Sequence, residues 1–367
     1  MACHSHHYWP DVTLEAVQQY WRDAAALADN KWGPLFEEKI PAWQEAVARV
    51  LGLSAPERIA IAPNTHELVY RLLSAFDLLR QPLRILTTDG EFYSFARQLQ
   101  RLEEEPNVRV TRIPKEPYAT LAQRFEEELH GGDYQLAYAS QVFFDSGVVF
   151  PRLLEIAARK PERTEFAIDG YHAFFARPSD LAAVADKVFY TAGSYKYLGA
   201  GEGLCFMSIP ANCSLRPLNT GWFAELAELE NRAERVAYAD NWLRFAGATM
   251  DYSTLYKGLA IFQLFEREGI TVEKIHRYVL AAQRRFLDTM DSAGHPLLNR
   301  ENLIHHDLEN SHGHFFTFDC GDSGRSEQLQ EELLSRGVLC DRRKQLLRLG
   351  FAIYHPEGET YRRVFVS

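Results

Sequence analysis

Between residues 59 and 209 the chain alternates short apolar runs with helical stretches, and that alternation leaves few folds open to it. The runs are Ile59 to Ile61, Leu83 to Thr88, Val108 to Ile113, Gln135 to Val142, Glu165 to Ile168, Lys187 to Thr191 and Leu204 to Ile209. Between the earlier ones lie helical patterns over Leu68 to Phe76, Phe95 to Glu104, Leu121 to Leu129 and Leu153 to Ala158. Strands that alternate with helices pair in parallel and carry the helices on their faces, so the expectation is an α/β unit around a mainly parallel sheet. Asn64, with Glu67 three residues on, reads as a helix N-cap with its reciprocal partner.

The flanking segments differ. Residues 1–50 read as an N-terminal helical arm rich in Trp (Trp21, Trp32, Trp43), broken at Gly33-Pro34 and Pro41 and expected to pack on the small domain. Residues 51–245 form the expected large domain, and 246–367 a small α+β domain with strands at His314 to Cys320, Val338 to Asp341 and Leu346 to Tyr354. A net charge of -10 and a pI near 5.8 oppose nucleic-acid and anionic-membrane partners. No apolar run reaches the length of a membrane span, and residues 1–11 lack the apolar core of a secretory signal, so a cytoplasmic location is expected. Five Cys without a close C-x-x-C pair point to reduced thiols.

Ligands of open parallel sheets bind beyond the carboxyl ends of the strands. There the sequence places Asn64 and Thr65, then Phe92 and Ser94, then Ser140, then Asp169 and His172, then Ser194, Tyr195 and Lys196. A helix start with hydroxyls suits a phosphate, an aromatic face suits a ring, a carboxylate suits a protonated pyridine nitrogen, and a lysine between aromatics and glycines suits an aldehyde. Pyridoxal 5'-phosphate has those four needs in one molecule.

The stretches Ser140-Gln141-Val142, Asp169-Gly170-Tyr171-His172 and Tyr195-Lys196-Tyr197-Leu198, with the Gly-x-Gly turn after the last, resemble the class V pyridoxal phosphate enzymes of fold type I. Among these the chain is most similar to the kynureninases. The resemblance implies that Lys196 carries the cofactor as a Schiff base, that Asp169 faces the pyridine nitrogen, and that Phe92 lies on the ring. It places His172 near the cofactor, and Tyr195 beside the phosphate as a proton shuttle. It also implies a homodimer with shared active sites, in which Gly221-Trp222 and Gly247-Ala248-Thr249 reach the partner's phosphate, so Trp222 and Thr249 join the cofactor-binding set. Arg348, in Leu347-Arg348-Leu349-Gly350-Phe351, becomes the clamp for a substrate carboxylate, with Arg342 and Arg343 as solvated charges.

The implied activity is hydrolytic Cβ–Cγ cleavage of L-kynurenine or a related amino acid to alanine and an aromatic acid. Phe95, Tyr171 and Glu202 depart from the kynureninase pattern. They favour, as the alternative, another class V reaction such as a C–S lyase, a cysteine desulfurase-like reaction or an aminotransferase; a non-catalytic homologue is the third reading. Cys340 is expected to be a structural thiol rather than a desulfurase nucleophile. Cys3, His4, His6 and His7 are expected to fray, and His305, His306, His312 and His314 to be turn and strand-end residues rather than metal ligands.

Overall fold

The computed structural model describes residues 1–77, 81–228, 234–305 and 312–365. Seven strands form one sheet: β1 (Ile59–Ala62), β2 (Leu83–Thr88), β3 (Val108–Ile113), β4 (Leu136–Ser140), β5 (Glu165–Asp169), β6 (Val188–Gly193) and β7 (Cys205–Ser208), in the order β1-β7-β6-β5-β4-β2-β3. β3, β2, β4, β5 and β6 pair in parallel, and β7 runs antiparallel to both β6 and β1. The expected mainly parallel α/β sheet is therefore present, with one reversed strand. That reversal brings the start of β7 to the edge where the other strands end, so Cys205 pairs with Ala62 on one side and Gly193 on the other.

All residues of β4 and β6 are buried, as in a sheet covered on both faces. The elements packed around it include α2 (Ile40–Leu51), α3 (Thr65–Ser74), α4 (Tyr93–Leu102), α5 (Tyr118–Gly131), α6 (Leu153–Ala158) and α7 (Ser253–Arg267), with α1 (Val12–Leu27) lying outside on α7. Asn64 caps α3 as expected. Its side chain accepts from the Glu67 amide at 2.9 Å and donates back to the Glu67 carboxylate at 3.3 Å. The arm packs through α1 on α7, where Tyr20 meets Tyr256 edge-on at 5.3 Å and the Tyr256 hydroxyl donates to Asp23 at 2.9 Å.

A second, smaller sheet has the order β8-β10-β9, with β8 (Phe315–Asp319), β9 (Asp341–Arg343) and β10 (Leu346–Gly350) all antiparallel. The long helix α8 (Val272–Ala293) and α9 (Ser323–Ser335) pack with it. Apolar residues of α7 and the start of α8 join the large core, and those of α8 from Val279 onward join the second core with Phe316, Phe318 and Leu347. The strand expected at Val338 to Asp341 forms later, at Asp341–Arg343, because Gly337 turns the chain with φ 74° and Leu339 faces solvent. β10 stops at Gly350, earlier than expected, where the Gly350 amide donates to the carbonyl of Met1 at 2.7 Å.

That contact belongs to the largest departure from expectation. Residues 1–8 do not fray: Cys3 and His4 are buried, and the segment lies between the small sheet and the Lys196 loop. The apolar packing of Cys3 and the stacking of the His4 ring on Phe315, with centroids 4.6 Å apart, hold it there. Among the described residues no cluster of three or more metal-ligating side chains occurs, and no helix is long and apolar enough to cross a membrane. His312 and His314 are buried, the latter accepting or donating across 3.0 Å with His276; His305 ends a described segment, and His306 lies outside the described residues.

Candidate active site

One pocket sits at the carboxyl edge of the large sheet. Asn64, Thr65, Phe92, Ser94, Asp169, His172, Tyr195 and Lys196 all line it, although they come from four different strand ends. Ser140, Tyr171, Glu202 and Cys205 complete much of the wall.

Lys196 lies on the loop after β6, where Gly199, Gly201 and Gly203 all have positive φ. The turn needs glycine for a second reason at position 201, because a Cβ there would come within 2.6 Å of the Trp9 ring. The loop drives the lysine inward until it is 6% exposed, and its Nζ donates to His172 Nε2 at 2.6 Å. The Tyr171 ring lies 4.6 Å from that nitrogen and the Phe92 ring 5.8 Å. Burial lowers the Lys196 pKa to about 7, against the opposing charge of Asp169 and with help from Arg348. Burial likewise holds His172 neutral, and its Nδ1 has no hydrogen-bond partner.

Asp169 ends β5, half-buried in the wall of the same cavity. Its Oδ1 accepts from the Tyr171 amide at 2.9 Å and its Oδ2 from the Tyr138 hydroxyl at 3.2 Å. Burial raises its pKa despite these donors and the charge of Lys196. A half-buried carboxylate in this state gains from a cationic ring nitrogen placed against it. At the other end of the pocket, the capped N-terminus of α3 presents backbone N–H groups beside the hydroxyls of Thr65 and Ser94. Anion site, aromatic face, nucleophilic amine and half-buried acid share one cavity, so the residues present fit pyridoxal phosphate.

Four sequence expectations fare differently. Ser194 does not reach the cavity: it is fully buried and its hydroxyl donates to the Gly201 carbonyl at 2.6 Å, bracing the glycine turn. Trp222 and Thr249 do not line the pocket of their own chain either. Their two segments instead pack together, with the Phe223 amide donating to the Gly247 carbonyl at 3.2 Å. Arg348 is not an open clamp, because its Nε donates to Asp341 Oδ1 at 2.8 Å, its Nη2 to Asp341 Oδ2, and its Nη1 to the carbonyl of Phe144. Arg343 is not purely solvated, lying 3.4 Å from Asp341, and Arg342 pairs with Glu327 at 2.9 Å.

Glu91 escaped sequence reasoning. It is buried, accepts from Thr88 at 2.6 Å and from Ser140 at 2.5 Å, and burial lifts its pKa to about 7. The signal was an acid between a strand end and a helix start, in Thr88-Asp89-Gly90-Glu91. Phe95, a departure from the expected pattern, turns away from the cavity and stacks on Tyr138 with centroids 3.7 Å apart.

The low Lys196 pKa sets a pH dependence. Only the neutral amine attacks an aldehyde, so the rate of pyridoxal phosphate uptake by the cofactor-free protein rises with pH up to a midpoint near 7 and then levels. Stopped-flow absorbance across pH 5–10 checks this. A rate still climbing steeply beyond pH 9 would mean that the amine behaves as an ordinary lysine.

Fold and site together define an enzyme of fold type I built to hold pyridoxal phosphate at Lys196's end of a parallel sheet. The family model for class V aminotransferases matches residues 8–339, and the chain belongs to that family, whose cofactor is pyridoxal phosphate. No curated protein matches the sequence. Solved structures agree on the fold. A mutant of C-DES with glycine covalently linked to its PLP cofactor has 17% identity and a TM-score of 0.82, covering 99% of this chain and 94% of that one. The cystine C–S lyase C-DES in complex with cysteine persulfide has 18% identity and a TM-score of 0.80, with 99% and 95% coverage. A cysteine desulfurase from Thermococcus onnurineus NA1 has 17% identity and a TM-score of 0.79, with 99% and 92% coverage. These neighbours lend no support to a particular closeness to kynureninases.

Proposed function

We propose that this chain is a pyridoxal phosphate-dependent lyase acting on an α-amino acid with a sulfur leaving group at Cβ, a C–S lyase rather than a cysteine desulfurase. The observation that carries this reading is the buried Lys196 amine, hydrogen-bonded to His172 across the cavity from Asp169, with no reactive thiol alongside. A desulfurase-type transfer needs a thiolate at the substrate sulfur. Cys340 lies outside the pocket wall, and burial pushes its thiol up to about 12. Cys205 lines the pocket, but burial pushes it up to about 12 as well, and its Sγ shares a contact with the Tyr171 hydroxyl at 3.4 Å.

When bound, pyridoxal phosphate supplies an aldehyde for the substrate amine and a ring that takes up the electron pair left at Cα. The chain's own residues do the rest. Lys196 Nζ, with a pKa near neutrality, accepts the Cα proton and can return it. Neutral His172 accepts the amine's hydrogen bond and orients it. Asp169 would hold the proton of the ring nitrogen by its charge. The α3 N-terminus, Thr65 and Ser94 would hold the phosphate, and Phe92 would cover the ring. Tyr195, whose phenol burial pushes up to about 12, stays protonated and donates to the departing sulfur. Trp222 and Thr249 serve the partner's site in a homodimer, consistent with their exposure in the single chain.

Incubation of the loaded protein with L-cystine, L-cysteine and L-kynurenine separates the readings. The expected result is pyruvate with cystine or cysteine. Anthranilate fluorescence with kynurenine, and no pyruvate, would restore the kynureninase reading that the Tyr195-Lys196-Tyr197-Leu198 motif suggests. Cys340→Ser is expected to hold pyruvate release within about twofold of the parent, since the residue is a packing thiol. Loss of sulfur release in that variant would instead establish a desulfurase.

A further inference from the structure

Arg348 and Asp341 stand directly opposite each other on β10 and β9, and their two-point pairing is buried, with side chains 3% and 18% exposed. Asp341 has two more neighbours. Its Oδ1 lies 3.1 Å from His4 Nε2, and its Oδ2 lies 3.4 Å from Arg343 Nη2, a side chain 37% exposed. His4 is fully buried, stacked on Phe315 and held neutral, its pKa lowered to about 4 by burial. The cluster thus holds two guanidiniums and one carboxylate, a surplus of one positive charge. It also adjoins the pocket: Arg348 donates to the carbonyl of Phe144, a lining residue, and Phe315 lies 5.8 Å from Arg348 and 5.3 Å from His172.

We propose that Asp341 is a specificity-determining residue which occupies Arg348 as an internal stand-in for the substrate carboxylate and gives it up by exchange, moving to Arg343 while keeping His4. This rests on the α-amino-acid reading above. In the exchange Asp341 gives up Arg348 and keeps its pair with Arg343, the incoming carboxylate takes Arg348, no covalent bond changes and no proton moves. The incoming carboxylate cancels the surplus charge. A buried carboxylate abandoned without a partner would be strongly disfavoured, and Arg343 supplies the partner. An amine without a carboxylate has nothing to offer Arg348, so it leaves Asp341 in place. A carboxylate binds, but more weakly than it would to an open guanidinium.

The test titrates the pyridoxal phosphate-loaded protein with L-alanine, which carries no leaving group, and with ethylamine, its carboxylate-free counterpart, reading the visible absorbance. Asp341→Asn is expected to tighten L-alanine about tenfold and leave ethylamine unmoved. Arg343→Ala is expected to weaken L-alanine about tenfold in the parent and to have no effect in the Asp341→Asn background. Asp341→Asn that weakens L-alanine or leaves it unchanged, or an Arg343→Ala effect equal in both backgrounds, overturns the exchange. If Asp341→Asn fails to fold by circular dichroism, Arg343→Ala alone decides, and an unchanged L-alanine affinity there overturns it. A parent protein that binds L-alanine no better than ethylamine overturns the amino-acid reading itself, and the exchange with it.

Discussion

Replacing Lys196 by alanine yields a folded protein that borohydride can no longer lock to pyridoxal phosphate, and whose turnover falls by roughly 10²–10⁴-fold or more, the range for losing a positioned proton carrier. The expectation of correct folding comes from the residue's surroundings. The amine is buried against His172 and three aromatic rings, and burial opposes its charge, so removing it relieves a desolvation cost rather than breaking an ion pair. Peptide mass mapping after reduction of the parent protein should place the adduct on the peptide holding residue 196. The comparison lysines are occupied elsewhere: Lys160 donates to the Thr164 carbonyl at 2.6 Å, Lys187 to the Ala158 carbonyl at 3.0 Å, and Lys257 lies 4.2 Å from the Trp9 ring. Lys160 and Lys257 are the stringent controls, because burial lowers their pKa values too. An adduct on Lys257, or undiminished trapping in the Lys196→Ala protein, would remove the foundation of the proposed chemistry.

Asp169→Asn separates function from stability in opposite directions. Burial raises the Asp169 pKa in the folded state, so between its unfolded and folded values the folded protein holds a proton that the unfolded chain has lost. The ionised carboxylate therefore costs stability, and that cost grows as pH rises through the unfolded value and is fully felt above the folded one. The cofactor-free asparagine variant should melt at or above the parent's temperature at neutral pH. At pH 3, where both states are protonated, the difference should close. With cofactor present, the amide can no longer hold the ring nitrogen's proton by charge, and turnover should fall by about a hundredfold, the scale seen when a preorganised electrostatic partner is lost. Differential scanning calorimetry of both forms and steady-state rates check the pair of outcomes. A variant that melts well below the parent without cofactor would show that Asp169 is a structural carboxylate.

Much of this is legible in the amino-acid order. The alternation of apolar runs and helices over residues 59–209 is a local property, since each run needs only β-formers of strand length and each helix a periodic apolar face. Asn64 and Glu67 announced the start of α3 for the same reason, because a cap is read within four residues. Strand ends then projected Thr65, Phe92, Asp169, His172 and Lys196 to one edge of the sheet, and they do line one pocket. On a finer scale the sequence leaves Glu91 unmarked and points Ser194 the wrong way. Whether a polar side chain near a strand end turns into a cavity or into the backbone beside it depends on one rotamer, which spacing does not encode.

What the amino-acid order determined by itself is the sheet, its helices and the set of chemical groups delivered to one edge, because these follow from backbone propensity and periodicity within a few residues. What only the tertiary structure decided is who neighbours whom across long separations. Asp341 meets Arg348 because β9 folds back antiparallel onto β10, and His4 reaches the same carboxylate from 337 positions away. A segment rich in histidine looks fit only to fray when judged by composition, yet Cys3 and His4 are buried here because the small sheet offers the His4 ring the face of Phe315 and its Nε2 the Asp341 carboxylate. Such a partner exists only after the small sheet has formed, and no local pattern can announce it.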